Sequence, residues 1–244
     1  MSEWWDGIKA DFVLNFIKED RWMLLTTGLG NTLKITFVAL IIGILLGSIV
    51  ATVRSTYDKN GADMAKRNKG GYIVLAIFNI ICKLYLTVIR GTPMVVQLLI
   101  MYFIIFASSK NGLMVAMIAF GINSGAYVAE IIRGGIMAID NGQFEAGRSL
   151  GFNYGQTMIY IIIPQVFKAV LPTLCNEFIV LLKETSVAGY IGIRDLTKGG
   201  DIIRSRTYDA LMPLMAVAII YLVMVMIFSK LVSMLERRLR NSDH

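Results

Sequence analysis

The chain has 244 residues, of which 56% are hydrophobic and only 17% are charged. Soluble domains average about 45–50% apolar and roughly 25% charged residues, so an ordinary soluble enzyme and a disordered chain are both excluded. The formal net charge of +7 is typical of cytoplasmic membrane loops, and the chain shows no basic, aromatic-rich soluble face for nucleic acid. The composition therefore predicts an integral membrane protein that binds no nucleic acid.

The residues that usually carry catalysis or bind metals are sparse in this sequence. The single histidine is the terminal residue His244, and both cysteines, Cys82 and Cys175, lie inside apolar stretches. We therefore expect no histidine-based catalytic site, no metal site and no disulfide scaffold. The sequence has no Gly-x-x-x-x-Gly-Lys-Ser/Thr loop, so the chain itself is not expected to bind ATP.

The chain opens with a segment, residues 1–27, in which Trp4, Ile8, Phe12 and Phe16 recur every four residues. This spacing predicts one apolar helical face. The face either lies in the outer membrane–water interface or packs on the protein itself, and both interpretations remain open.

Five hydrophobic stretches follow, and each is long enough to cross a hydrocarbon core of about 30 Å, which takes roughly 20 helical residues. They are residues 31–54, 73–107, 112–137, 158–190 and 211–235. In the second stretch Gly91 and Pro93 predict a break in the helix. We predict an all-α integral membrane protein with a transmembrane domain at 28–235 and a tail at 236–244.

Basic residues indicate the orientation of the spans. They concentrate after the first span and in the tail, at Arg54, Lys59, Lys66, Arg67, Lys69, Arg237, Arg238 and Arg240. With five spans, both segments are cytoplasmic only if the amino terminus lies outside and the carboxyl terminus inside. One loop argues against this orientation, because residues 193–210 carry four basic residues on the predicted outer side, where three aspartates balance most of the charge.

The third and fourth spans are joined by a polar segment at 140–157. Asn141 is expected to be an N-cap, Glu145 to fall in the first turn, and Gly151 to end the helix. A second helix is expected from Asn153 into the fourth span. By itself this helix–glycine–helix pattern also fits a simple interfacial connection between two spans.

The same segment carries a resemblance to a known family. From Glu145 to Pro164 the chain has the pattern Glu-Ala-Gly-x-x-x-Gly-x9-Ile-x-Ile-Pro. This resembles the EAA loop of ABC importer permeases, Glu-Ala-Ala-x-x-x-Gly-x9-Ile-x-Leu-Pro. The two departures are Gly147 and Ile163. Gly147 is expected to loosen the short helix by up to about 1 kcal/mol.

Three further blocks resemble the polar amino acid branch of that superfamily. They are Arg90-Gly-Thr-Pro-Met-Val-Val-Gln97, Asn123-Ser-Gly-Ala-Tyr-Val-Ala-Glu-Ile-Ile-Arg-Gly-Gly135 and Asn176-Glu-Phe-Ile-Val-Leu-Leu-Lys-Glu-Thr-Ser186. The resemblance runs from about residue 28 to the carboxyl end. It implies a five-helix type I importer fold in the bacterial inner membrane.

The resemblance also implies partners and a coupling site. Two permease subunits, identical or related, would sit on a dimer of cytoplasmic ATPases that bind ATP and Mg²⁺. An extracytoplasmic binding protein would deliver an amino acid. The loop would contact the ATPase, and the residues implied in coupling are Glu145, Ala146, Gly147, Gly151 and Pro164.

Polar residues inside the spans are candidates for the substrate pathway, because such residues usually face a cavity or a partner. The candidates are Thr92, Gln97, Asn123, Tyr127, Asn176, Glu177, Lys183 and Glu184. Lys183 suits the substrate carboxylate, and Glu184 or Glu177 suits its ammonium group. Alternatively, charged residues in the spans pair with one another, as Glu130 and Arg133 can at a spacing of three.

A second interpretation is an ion-driven secondary transporter or channel for small polar solutes. In that case the intramembrane glutamates and lysine would be proton or ion sites. The absence of an evident internal repeat and the helix–glycine–helix segment count against it.

Overall fold

The computed structural model describes residues 2–241, which form helices and connecting turns. In chain order the α-helices are α1 (Ser2–Phe12), α2 (Trp22–Arg67), α3 (Lys69–Gly91), α4 (Met94–Ile100), α5 (Gly112–Ala138), α6 (Asn141–Ser149), α7 (Tyr154–Thr157), α8 (Ile163–Glu184), α9 (Leu196–Thr207) and α10 (Leu211–Asn241). Short π-helical segments occupy Val13–Ile17, Met101–Ile105 and Met158–Ile162, and 3₁₀ turns occupy Lys18–Asp20 and Thr185–Ile191.

Five helical stretches of the described residues are long and apolar enough to span a membrane. They are α2, α3, α5, the stretch Tyr154–Ile191, and α10 as far as Leu239. The predicted all-α membrane fold class is confirmed. The tail predicted at 236–244 is helical up to Asn241, and residues 242–244, with His244, lie outside the described part of the chain.

The first long helix extends well past the apolar stretch. Predicted to end at residue 54, α2 continues to Arg67 and has 46 residues, which makes it about 69 Å long at 1.5 Å per residue. The polar extension is held by neighbours: the Tyr57 ring stacks on Tyr72 with centroids 6.0 Å apart, and Asp58 pairs with Arg133 at 2.8 Å. These contacts stabilise helix where hydropathy alone predicts a loop.

The second predicted span is interrupted where Gly91 and Pro93 predict a break. Helix α3 ends at Gly91, and Thr92 adopts an extended backbone with φ −123° and ψ 146°. The ring of Pro93 disfavours helical geometry at the residue before it, which explains this conformation. Helix α4 then restarts at Met94.

The chain divides into two compact units. The first comprises the residues up to Ala39, 94–120 and 178–231; the second comprises 40–93, 121–177 and the residues from Val232 onward. The first unit has a core of seven buried apolar side chains: Phe16, Leu25, Leu182, Leu196, Ile203, Val217 and Met224. In the second unit a core of Val128, Ile136, Phe144, Met158, Ile162, Val166, Val170 and Leu174 joins the end of α5 to α6 and α8.

The amino-terminal apolar face is only partly buried in the first unit. Trp4 and Phe12 are 63% and 50% exposed, whereas Phe16 is buried in the core. Nearby, Asn15 donates a 2.6 Å hydrogen bond to the Asp209 carboxylate, which ties this segment to the start of α10.

The charged loop at 193–210 contains helix α9. The carboxylate of Asp195 caps this helix by accepting hydrogen bonds from the backbone N–H groups of Thr197 and Lys198. Lys198 and Arg204 both pair with Asp201, at 2.9 and 2.6 Å. Two of the four basic residues of this loop therefore share one carboxylate within the helix.

Candidate functional site

The segment between the third and fourth spans forms the helix–glycine–helix structure. Helix α6 is capped by Asp140, whose carboxylate accepts a 2.6 Å hydrogen bond from the Gly142 N–H. The expectation that Asn141 is the N-cap was therefore wrong by one residue, since Asp140 is the residue with a non-helical backbone. Glu145 accordingly lies beyond the first turn of the helix.

Helix α6 ends at the predicted glycine. Gly151 has a φ of +81°, a left-handed conformation that glycine adopts without steric cost. The N–H of Gly151 bonds to the carbonyl of Arg148 and the N–H of Phe152 to that of Gly147, at 2.9 and 3.0 Å. This paired pattern satisfies two carbonyl groups that the end of the helix would otherwise leave unpaired.

The second helix of the segment starts as expected at Asn153. Asn153 and Gln156 form a capping box, in which each side chain accepts a 2.9 Å hydrogen bond from the other's backbone N–H. Between α7 and α8 the backbone widens into the π-helical turn Met158–Ile162. Pro164 is the second residue of α8. Because it has no N–H and its ring crowds the preceding turn, this wider turn accommodates it.

Helix α6 has one face packed on its own chain and one face open. Phe144 and Gly147 are buried, whereas Glu145, Ala146 and Leu150 are exposed. A Cβ atom added to Gly147 would lie 2.6 Å from the Oγ1 of Thr157 on α7. The close packing of α7 therefore leaves room only for glycine at position 147.

The row of α6 residues that includes Asn141, Phe144 and Arg148 borders the polar extension of α2. Lys59 donates a 2.7 Å hydrogen bond to the Asn141 side chain, and its Nζ lies 5.2 Å from the centroid of the Phe144 ring. Arg148 of α6 lies 3.8 Å from Asp63 of α2. A cleft of about 740 Å³ runs between the α2 extension and the α6–α7 segment.

Five of the eight candidate pathway residues belong to the second unit: Thr92, Asn123, Tyr127, Asn176 and Glu177. Asn123 and Glu177 are buried, and Asn176 is exposed. The hydroxyl of Ser124 donates a 3.1 Å hydrogen bond to the Glu177 carboxylate, which joins α5 to α8. Sequence reasoning named Glu177 but gave it no partner, because residues 53 positions apart are matched only by folding.

The other two candidates in the second unit, Tyr127 and Thr92, are also exposed. Tyr127 is 36% exposed, and the guanidinium of Arg90 lies 5.7 Å from the centroid of its ring. Thr92 is exposed at the break after α3, where its hydroxyl donates a 2.8 Å hydrogen bond to the carbonyl of Val88.

The remaining three candidates, Gln97, Lys183 and Glu184, belong to the first unit. Lys183 is exposed, and Glu184 and Gln97 are half-buried. Lys183 and Glu184 form the last turn of α8, just before the 3₁₀ turn Thr185–Ile191. Within residues 2–241, no group of three or more His, Cys, Asp or Glu side chains is placed to hold a metal ion.

Fold and site together define a multi-pass membrane protein whose spans are joined by a capped helix–glycine–helix segment. The chain belongs to the family described as the binding-protein-dependent transport system inner membrane component, whose sequence pattern matches residues 64–241.

Curated relatives support the narrower resemblance. The arginine transport system permease protein ArtQ of Bacillus subtilis is 37% identical over 220 residues, which are 88% of this chain and 92% of that protein. The glutamine transport system permease protein GlnP of Escherichia coli is 34% identical over 222 residues, 89% of this chain and 93% of that protein. The resemblance to polar amino acid ABC permeases is thereby confirmed, and the ion-driven interpretation receives no support.

Solved structures agree with this assignment. The crystal structure of an amino acid ABC transporter with histidines is 42% identical and superposes with a TM-score of 0.77, covering 91% of this chain and 98% of that chain. The MetNI methionine ABC transporter, in an inward-facing conformation, is 19% identical with a TM-score of 0.72, and it covers 89% of this chain and 97% of its own. The latter shows the fold alone.

Proposed function

We propose that the chain is the permease subunit of an ATP-driven importer of polar amino acids. It spans the bacterial inner membrane with its amino terminus outside and its carboxyl terminus in the cytoplasm. It pairs with a second permease subunit, identical or related, and receives substrate from an extracytoplasmic binding protein. ATP and Mg²⁺ bind a separate ATPase dimer, so this chain catalyses no reaction itself.

The observation that carries the proposal is the open face of α6. Glu145, Ala146 and Leu150 are exposed there on a short, well-capped helix, and Leu150 is 72% exposed. An apolar side chain beside a carboxylate and a small residue suits docking in a cleft of a partner protein. Because Phe144 and Gly147 pack the other face on α7 and α8, a movement of α6 would be transmitted to the spans.

The pathway residues have distinct roles in the proposal. Lys183 binds the substrate carboxylate, and Glu184 or Glu177 binds its ammonium group. The exposure of Lys183 and Asn176 supports their access to a ligand. Neutral hydrogen bonds come from Thr92, Gln97 and Asn123, and Tyr127 lines the path.

Uptake by the reconstituted complex tests this function. The chain, its ATPase and its binding protein are placed in proteoliposomes, and uptake of labelled arginine, glutamine, glutamate, cystine and histidine is followed with and without ATP. We expect accumulation of at least one of these amino acids only when ATP is hydrolysed. Uptake driven by an ion gradient without ATP would overturn the proposal.

Gly151→Val tests the coupling role of the loop. A β-branched residue at a φ of +81° strains the turn, so ATPase stimulation and uptake should both fall. Gly155→Val is the matched control, because Gly155 has an ordinary backbone and its Cβ would meet only Asn153 at 3.5 Å. If Gly151→Val keeps normal ATPase stimulation and uptake, α6 takes no part in coupling ATP hydrolysis to transport.

Lys183→Met tests the carboxylate site. Uptake should be lost, whereas complex assembly and basal ATPase activity should persist. Lys230→Met removes the same charge from an exposed position on α10 and serves as the control. Unchanged uptake in Lys183→Met would contradict the assignment of this residue.

A further inference from the structure

A second polar feature of the transmembrane region is lined by none of the residues assigned to the function proposed above. It is a pocket of about 510 Å³ between α2, α3 and α5, lined by Arg54, Lys83, Leu86, Thr87, Arg90, Gly91 and Glu130. Three of these side chains are basic and one is acidic, so the pocket is positively charged at neutral pH.

The acidic groups near the pocket do not neutralise it. Glu130 lies 3.8 Å from Arg90 and also 3.8 Å from Arg133, so its charge is shared. The nearby Asp58 is engaged by Arg133 at 2.8 Å.

Two of the basic groups lack an anionic partner. Within residues 2–241, neither Arg54 nor Lys83 forms an ion pair, and the Nε of Arg54 is buried without a hydrogen-bond acceptor. A buried guanidinium N–H without an acceptor is costly, and an oxyanion supplies an acceptor with compensating charge.

We propose that this pocket binds the anionic head group of a membrane phospholipid. Arg54 closes the apolar stretch 31–54, which puts the Arg54 end of the pocket near the edge of the hydrocarbon layer, where phosphate groups lie. Basic pockets between transmembrane helices on the cytoplasmic side are suited to anionic lipids. The proposal rests on the proposed orientation, which puts Arg54 on the cytoplasmic side, but it is independent of the import function.

The surface next to the pocket fits the acyl chains of such a lipid. On α3, Ile80, Leu84 and Val88 recur every four residues and are 64%, 63% and 49% exposed. This apolar row lies beside Lys83 and Thr87, because residues three positions apart are neighbours on a helix. A free carboxylate or phosphate ion would use the basic groups but would leave this row uncovered.

Lipid binding by the purified complex tests the proposal. The complex, solubilised in a neutral detergent, is titrated with dioleoyl phosphatidylglycerol or with dioleoyl phosphatidylcholine, and bound lipid is counted by native mass spectrometry. We expect saturable binding of phosphatidylglycerol to each permease subunit and much weaker binding of phosphatidylcholine. The Arg54→Gln/Lys83→Gln variant should bind phosphatidylglycerol about ten-fold more weakly, as expected for lost charged contacts.

Controls separate a binding site from general charge or folding effects. Lys230→Gln removes a charge that does not line the pocket and should leave binding unchanged. Arg54→Lys/Lys83→Arg keeps both charges and should restore most of the binding, which shows that the Gln variant fails through its charge. Millimolar inorganic phosphate or free amino acid should not displace the lipid.

Three results would overturn the proposal. The first is equal phosphatidylglycerol binding in the Gln variant and the native chain. The second is equal binding of the two lipids. The third is displacement of the lipid by inorganic phosphate or amino acid, which would assign the pocket to a free anion instead.

Discussion

Lys59, on the polar extension of α2, donates a 2.7 Å hydrogen bond to Asn141 at the start of α6. The two residues are 82 positions apart. Because Asn141 is the first residue of α6, the end of one long transmembrane helix is joined to the segment proposed to contact the ATPase.

Removal of this contact should weaken coupling. Lys59→Met keeps the length of the side chain but loses the hydrogen bond and the contact with the Phe144 ring. An exposed charged contact contributes roughly 1 kcal/mol, equivalent to about a five-fold change in an equilibrium. We expect the amount of substrate imported per ATP hydrolysed to fall by up to about that factor. The measurement is simultaneous uptake and phosphate release in proteoliposomes.

Lys66→Met is the control for this experiment, because Lys66 is exposed on the same extension. If both variants import the same amount per ATP as the native chain, the contact between Lys59 and Asn141 has no part in coupling.

Gly147 and Thr157 should behave as a pair. In Gly147→Ala the new Cβ would lie 2.6 Å from Oγ1 and 2.7 Å from Cγ2 of Thr157, so overpacking should destabilise the α6–α7 segment by about 1–3 kcal/mol. The measurement is thermal unfolding in detergent. Gly147→Ala/Thr157→Ala should recover most of the loss. A Gly147→Ala/Thr157→Ala protein no more stable than Gly147→Ala would contradict the contact, and Gly155→Ala is the matched control.

Asp195 should give the stability of the first unit a specific pH dependence. Asp195 is fully buried, and burial raises the pKa of its carboxyl above the ordinary 3.8, against the lowering effect of its backbone hydrogen bonds. The folded protein therefore holds this proton more tightly than the unfolded chain does. The stabilisation that this tighter proton binding contributes is fully present below pH 3.8. It is lost as pH rises through the raised pKa of Asp195.

Asp195→Asn should flatten this dependence and leave the protein at least as stable at neutral pH, because asparagine caps the helix without a buried charge. Asp195→Ala should lose about 1 kcal/mol through the missing cap. Unfolding temperatures from pH 4 to 8 provide the comparison. Parallel pH profiles for Asp195→Asn and the native chain would show that the carboxyl does not titrate as described.

Tyr208 should be replaceable by glycine with a gain in stability. It ends α9 with a φ of +57° and is 97% exposed, and the left-handed conformation costs a residue with a Cβ about 1 kcal/mol. Tyr208→Gly should therefore raise the unfolding temperature by roughly 2–4 °C. Tyr190 is also exposed, at 70%, but lies in the 3₁₀ turn Thr185–Ile191, so Tyr190→Gly should give no gain. A lower unfolding temperature for Tyr208→Gly would show that its ring makes a stabilising contact.

Local sequence patterns accounted for much of the proposed coupling segment. Gly151 and Asn153 lie where their chemistry predicts, because helix caps depend on neighbouring residues and on backbone conformation. The position of the first cap was missed by one residue, since Asp140 and Asn141 are both good caps and only the backbone distinguishes them. The break at Gly91 and Pro93 was predictable for the same local reason.

The sequence by itself determined the five apolar spans, the helix–glycine–helix segment and the family, because hydropathy, capping and motif spacing are local properties. Only the tertiary structure decided that α2 continues to Arg67, that Gly147 packs on Thr157 and that Ser124 is the partner of Glu177. Each of these depends on contacts between residues distant in the chain, and such contacts leave no periodic signal in the sequence. By contrast, the ion pairs of Lys198 and Arg204 with Asp201 in the charged loop at 193–210 are local, because each joins residues three positions apart within α9.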